Sequence, residues 1–282
     1  MIESKFFRWS SPNKFNDPFD HQARFVLDSN PDEFARLLTA SIERVVFSDI
    51  VPPVSPVMPV SQLAAVALQL RSNRDRLPRE EFHRKTHQLS INTAARVYNG
   101  GIDHLSGNLQ EALCHSRVLC LSEVYDSLLM WSHYADGHRG VVFKLRCTDE
   151  TDNSLLYARK VSYADTGPTF ASAAEYAKHL TGEQTFDYAT LCWKIALTKH
   201  TDWEYEREWR VHRLLFQEPP GDGYHLYPAD PRIFEAIYLG CSMQNQEIAR
   251  IVELIRCNLP ATKILRGEKG TAGVTLSFTD IN

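Results

Sequence analysis

The densest chemistry in the chain lies at Lys199 and then Trp203-Glu204-Tyr205-Glu206-Arg207-Glu208-Trp209-Arg210-Val211. Read as a strand over Tyr205–Leu215, its side chains alternate between two faces. Glu206, Glu208 and Arg210 then share one face. Tyr205, Arg207, Trp209 and Val211 take the other. Two carboxylates and a guanidinium make a poor core face. Such a face is solvated, internally paired, or the wall of a polar site. Carboxylates in a wall can move protons or stabilise positive charge developing on a substrate. Glu208 is the leading catalytic candidate, Glu206 is its helper or alternate, and Arg210 orients them or binds phosphate. The plain alternative is a surface strand with an ordinary Glu–Arg pair.

Two further constellations carry candidate ligand contacts. Leu119-Cys120-Leu121-Ser122 ends an expected strand, and Asp126 opens a short helix over Ser127–Asp136. On that helix Trp131, Tyr134 and His138 fall at i, i+3 and i+7 and share a face. Met130 and His133 share a neighbouring one. An aromatic and histidine face beside Ser122 can stack a base or a nicotinamide ring. Alternatively, Trp131 and Tyr134 are core residues and His138 caps the helix. The other constellation is Phe15-Asn16-Asp17-Pro18-Phe19-Asp20. Asn-Asp-Pro favours a turn, because Asx side chains bond nearby backbone and proline fixes φ. Asp17 and Asp20 there either close the turn or position a substrate or metal.

Other signals are weak. His83 and His87 lie one helical turn apart, but Arg84 stands where the zincin motif needs glutamate. Gly267-Glu268-Lys269-Gly270 and the residues after it read as a hairpin turn. There is no G-x-S-x-G, no dinucleotide fingerprint and no metal-ligand spacing. The six cysteines form no C-x-x-C pair, which suits reduced thiols and a cytoplasmic setting.

The elements that must position these residues change character along the chain. A short aromatic strand at Lys5–Trp9 opens it. Asn30, followed by Pro31, Asp32 and Glu33, caps a helix with apolar spacing from Phe34 to Val46. A proline-rich link over Val51–Pro59 follows. Helices are then expected at 61–73, 78–98 and 103–115, with Gly100-Gly101 ending the second. From Arg117 strands predominate, at 117–122, 140–146, 155–163, 205–215, 224–227, 233–239, 263–266 and 273–278. Helices are interspersed at 172–180, 186–199 and 245–258. The pattern predicts one α+β domain over 1–282, with a twisted, mostly antiparallel sheet. The all-helical block at about 30–115 is an insertion or cap between its first and second strands.

The chain has 282 residues and a net charge of −4, with 43% hydrophobic and 23% charged residues. This balance excludes a strongly basic nucleic-acid binder and an acidic disordered tail. No apolar run approaches the roughly 18–20 residues a spanning helix needs, so no membrane partner is expected.

The three motifs, in this order, together with Ile237-Tyr238-Leu239-Gly240, resemble an uncharacterised bacterial family catalogued as domain of unknown function 2971. The resemblance runs over nearly the whole chain from about residue 5. A fainter resemblance is to ADP-ribosyltransferases of the DNA-modifying toxin type. It implies NAD held near Ser122 and the Trp131–Tyr134 helix, with Glu206 or Glu208 stabilising the oxocarbenium-like ribose. Members of the first family usually carry a further Tyr-Lys-Tyr-Arg-like strand ahead of the region matching Phe6–Ser11. If that strand supplies the first NAD contact, Arg8 or His21 is left to replace it here.

The functional expectation is therefore an NAD-using ADP-ribosyltransferase-like enzyme, a toxin or phage-defence effector with a nucleic-acid or protein acceptor. Glu208, Glu206 and Arg210 would do the chemistry. Asn16, Asp17, Ser122, Trp131, His133, Tyr134, His138 and Trp209 would wall the ligand. The alternative is a non-enzymatic ligand-sensing or partner-binding module, whose motifs hold one another together as a polar-aromatic core. A Mg²⁺ nuclease built on Asp17, Asp20, Glu206 and Glu208 has no spacing support.

Overall fold

The computed structural model describes residues 1–23, 26–49, 53, 61–151, 154–166, 172–185, 187–214, 223–270 and 274–281. The expected proline-rich link over 51–59 lies, apart from Pro53, outside them. In chain order the strands are β1 (Phe6–Ser10), β2 (Ser116–Ser122), β3 (Val141–Leu145), β4 (Arg159–Lys160), β5 (Ser162–Tyr163), β6 (Thr198–Lys199), β7 (Glu208–Leu214), β8 (Tyr224–Pro228), β9 (Phe234–Leu239), β10 (Lys263–Lys269) and β11 (Leu276–Asp280). The helices are α1 (Pro31–Phe47), α2 (Gln62–Arg71), α3 (Arg79–Arg96), α4 (Ile102–Cys114), α5 (Leu128–Tyr134), α6 (Ala173–Thr181), α7 (Tyr188–Ala196) and α8 (Asn245–Asn258). The class is α+β, with antiparallel pairing dominant.

The chain divides into two compact units. One combines Met1–His21, Ala112–Asp165 and Leu197–Asn282; the other combines Gln22–Glu111 and Thr166–Ala196. The first holds an antiparallel sheet ordered β4-β7-β2-β1-β8 and a second sheet ordered β11-β10-β9-β3. In the second sheet only β9 and β10 run parallel. A strand pair β5-β6 stands apart. So two main sheets form where one was expected.

Strand alternation builds the core. Phe7 and Trp9 are buried and Phe6 and Arg8 are exposed. The same core takes Val211 from β7, Ile237 and Leu239 from β9, Ile264 from β10 and Ile248 and Ile255 from α8. Each such side chain contributes about 1.5–3 kcal/mol on burial. The expected strand over 155–163 does not form. Leu155 turns into the core on a 3-10 turn, Ser154–Tyr157, and β4 then pairs with β7 while β5 pairs with β6. A change of partner at Val161 breaks a single strand.

The second unit is helical. Asn30 caps α1 by accepting from the Glu33 N–H at 2.9 Å, and Pro31 fills the first helical position. Ile42, Val45 and Val46 of α1 pack with Ala67 of α2 and Phe82 of α3. Gly100, at φ 111°, makes the break between α3 and α4. The unit also recruits α6 and α7. Thr181 bonds Ser41 at 2.6 Å and Glu183 pairs with Arg44 at 2.8 Å. Nothing in the local pattern of 166–196 announces that partnership.

Candidate functional site

The site begins at a backbone reversal. A 3-10 segment, Thr201–Glu206, ends at Arg207, which takes left-handed angles of φ 43° and ψ 54°. The Ser122 hydroxyl donates to the Glu206 carbonyl at 2.6 Å, and the Glu123 N–H donates to the Arg207 carbonyl at 3.2 Å. Strand β7 starts only at Glu208, directly opposite Ser122 on β2. Glu206 therefore does not share a strand face with Glu208. The reversal nevertheless turns both carboxylates onto Lys199 Nζ, at 2.5 Å from Glu206 and 3.3 Å from Glu208.

Along β7, Glu208, Arg210 and His212 share the face away from the apolar core. Arg210 is 0% exposed. Its Nε and Nη2 donate to the two oxygens of Glu208 at 2.7 and 2.8 Å. Its Nη1 and Nη2 donate to the two oxygens of Asp20 at 2.9 and 2.5 Å. One planar fork thus joins two carboxylates, each held bidentately. The Asn16-Asp17-Pro18 turn delivers Asp20. Asp17 Oδ1 accepts from the Phe19 N–H at 2.9 Å, and the Asp17 carbonyl accepts from the Asp20 N–H at 3.2 Å. The Phe15 ring lies against Arg210, at 5.5 Å, and edge-on to His21, at 5.1 Å.

The surroundings set the charges. Burial opposes ionisation of Asp20, but hydrogen bonds from His21 and Arg210 hold its carboxyl well below the usual range. Burial likewise opposes ionisation of Glu208, and Arg210 and Lys199 keep its carboxyl low. The Cys120 thiol stands opposite Arg210 on β2, and burial and the Glu208 carboxylate push it up. Burial would lower Lys199, yet Glu208 and Glu206 raise it. His21 and His212 face each other through Nε2 at 3.1 Å, so one donates and the other accepts. Burial pushes His21 down and pulls His212 down to about 3. Both imidazoles are neutral near pH 7.

The accessible edge of this cluster is Tyr134. Its hydroxyl donates to Glu206 Oε1 at 2.6 Å and accepts from Asn16 Nδ2 at 3.1 Å. Burial and the Glu206 carboxylate push its ionisation upward. The ring is 50% exposed. His133 lies 6.2 Å from Tyr134 and 6.5 Å from Tyr205, and Tyr205 lies 6.1 Å from Trp203. Trp203 in turn lies 4.7 Å from Lys199 Nζ.

The predicted residues do not all gather. Glu206, Glu208, Arg210, Asn16 and Tyr134 meet in one network, with His133 at its rim. Ser122 and Asp17 act on backbone, fixing the two turns. Trp209 points to the opposite face of β7, where its Nε1 donates to Glu123 at 2.7 Å. Trp131 is 1% exposed and packs with Ala135, Ala236 and Tyr238. His138 stacks on Trp131 at 6.3 Å, outside the charge cluster. The expected shared face loses His138 because α5 stops at Tyr134. Asp136, Gly137 and His138 then take φ of 49°, 58° and 65°, which ends helical spacing.

Sequence reasoning gave no role to Lys199 or His212, and it missed Asp20 as the clamp on Arg210. His212 was accessible to it, since the alternation of Glu208 and Arg210 continues to 212. Asp20 and Lys199 stand in motifs that the sequence singles out, but only the fold brings them to β7.

Among the described residues no group of three or more His, Cys, Asp or Glu is arranged to hold a metal ion, and no helix is long and apolar enough to cross a membrane. No curated protein and no solved structure matches the chain. The family likeness covers less of the chain than the motifs span: it takes in the Trp131–Gly140 and Glu206–Arg210 motifs and leaves out Phe15–Asp20. Residues 130–211 match the model of the family described as a protein of unknown function, DUF2971.

Proposed function

We propose that this chain is an NAD-consuming enzyme of the ADP-ribosyltransferase type, with Glu206 in place of Glu208 as the carboxylate that meets the substrate. One observation carries the reading. Three carboxylates, Asp20, Glu206 and Glu208, share two cations, Lys199 and Arg210, and both histidines are neutral. Within this buried set the acids outnumber the cations by one, and the exposed Arg159 of β4 stands opposite Arg210. Arg210 is shared between Asp20 and Glu208, and Lys199 lies nearest Glu206, so the excess is spread over the network, of which Glu206 is the member beside the half-open Tyr134. A net-negative corner rimmed by His133, Tyr134, Trp203 and Tyr205 suits a cationic ring or a sugar gaining positive charge.

NAD supplies a nicotinamide–ribose bond whose cleavage develops such charge on the ribose. Glu206 is the group that opposes it. The Tyr134 hydroxyl and the Lys199 ammonium each hold one oxygen of Glu206, so the carboxylate needs no reorientation. Asn16 fixes the Tyr134 hydroxyl. Arg210 and Asp20 take no part in the chemistry and keep Glu208 and β7 in place.

The test is labelled NAD incubated with the full chain, alone and with DNA, RNA or lysate. Nicotinamide release is expected, with label transferred to whichever acceptor the enzyme uses. Glu206→Gln lowers release by about 100-fold or more, while Tyr134→Phe has a smaller effect. A folded protein that neither releases nicotinamide nor transfers label refutes the reading.

The closed Asp20–Arg210–Glu208 lattice favours a second reading, a non-enzymatic ligand-sensing or partner-binding module. In that case a cationic nucleotide binds at the same corner and no bond breaks. Saturable NAD binding without turnover distinguishes the two.

A further inference from the structure

The other face of the five-stranded sheet carries an arginine with the opposite circumstances to Arg210. Arg117, on β2, is 1% exposed. Its Nε donates to His225 Nδ1 at 2.9 Å, and its Nη1 to the carbonyls of Ser116 at 2.8 Å and Cys114 at 3.4 Å. Its Nη2 has no hydrogen-bond partner among the described residues. No ion pair joins it to a carboxylate among the described residues. Trp9, on β1, is 3% exposed, and its indole Nε1 also lacks a partner among the described residues.

These donors are neighbours. Trp9 stands directly opposite His225 across the β1–β8 pair, and Arg213 stands directly opposite Arg117 across the β2–β7 pair. The ring of Tyr227 joins them. Trp9 meets it edge-on at 5.1 Å, His225 stacks on it at 6.1 Å, and the Arg213 guanidinium lies 4.5 Å from its centroid. Arg213 is exposed and His225 is half-buried, so the cluster reaches solvent.

Buried N–H groups without acceptors are rare in native proteins and call for an explanation. A buried guanidinium without a counter-charge is rarer still. Here two such donors and a second guanidinium lie at neighbouring register positions of one sheet face, with no acid among them in the described residues. An acceptor of negative charge complements that set, and the planar fork of arginine matches an oxyanion. We propose that Arg117, Trp9 and Arg213 form a binding site for a small oxyanion of the phosphoryl class, either free phosphate or a phosphomonoester. None of these residues belongs to the Glu206 cluster, so the inference does not rest on the NAD reading.

The test is calorimetric titration of the full chain with inorganic phosphate and, separately, with glycerol 3-phosphate, at an ionic strength balanced with sodium chloride. Saturable binding is expected for at least one, with a melting temperature above that in matched chloride. Tighter binding of glycerol 3-phosphate assigns the site to a phosphomonoester; equal or weaker binding assigns it to free phosphate. Arg213→Gln, on the exposed side, is expected to weaken binding by about tenfold or more. Trp9→Phe keeps the ring, removes the N–H, and is expected to weaken it similarly. If Trp9→Phe fails to fold, Arg213→Gln decides alone. No saturable binding of either anion, or an unchanged affinity in the variants, overturns the proposal.

Discussion

Glu208→Gln tests what the charge lattice does. The substitution preserves volume and replaces one carboxylate oxygen with an NH2 donor. In the wild type Glu208 accepts two bonds from Arg210 and one from Lys199, all three groups being buried. The new amide donor must face a guanidinium or an ammonium, and one accepted bond becomes a donor–donor contact. Each charge-assisted bond contributes about 1.5–3 kcal/mol. Breaking one partner from a buried pair costs about 3–5 kcal/mol. In a chain of this size each kcal/mol moves Tm by about 2–4 °C, so a fall on the order of 10 °C follows. Thermal and urea unfolding at pH 7 measure it. The pair Glu208→Met with Arg210→Met removes one charge of each sign, and it should destabilise less than the two single changes summed. A Glu208→Gln variant melting within about 2 °C of wild type refutes the argument. The lattice would then contribute no measurable stability, and Glu208 would be available for chemistry after all.

Two further outcomes are expected. Trp131→Ala costs about 3–5 kcal/mol by opening a cavity, and NAD turnover per folded molecule stays unchanged; lost turnover at full stability would return Trp131 to the site. His212 is held down to about 3 in the fold, against roughly 6.5 in an unfolded chain. Its contribution is therefore complete above about pH 6.5 and is lost as pH falls from there towards 3, because only the unfolded chain takes up the proton. Urea melts between pH 7 and 5 should show a decline of up to about 1.4 kcal/mol per pH unit from this group. His212→Asn flattens that slope, and an unaltered slope in the variant contradicts the assignment.

Much of the fold was legible from short-range pattern. Asn30-Pro31 placed the start of α1, the apolar spacing of 245–258 gave α8, and the aromatic alternation at Phe7 and Trp9 gave β1. The gathering of Asn16, Tyr134, Glu206, Glu208 and Arg210 was legible as motif chemistry. Three things were not. Arg207 adopts a left-handed turn that its side chain does not advertise, so Glu206 was placed on the wrong element. The end of α5 depends on a run of positive φ at 136–138, which takes His138 off the helix face, while Trp131 is buried against Ala236 and Tyr238. Lys199 and Asp20 become partners of β7 only through tertiary folding.

The Arg210–Asp20 contact spans 190 positions in sequence. Until the Asp20 turn docks, the Arg210 guanidinium has lost its water and has only half of its partners. Loop closure over such a distance is entropically slow to recover. The segment 11–21 is therefore not a surface loop that opens freely. Its release leaves the buried Arg210 guanidinium with Glu208 but without its bonds to Asp20, at a cost of about 3–5 kcal/mol. An N-terminal stretch that carries little secondary structure is in this way bound into the same cooperative transition as β7.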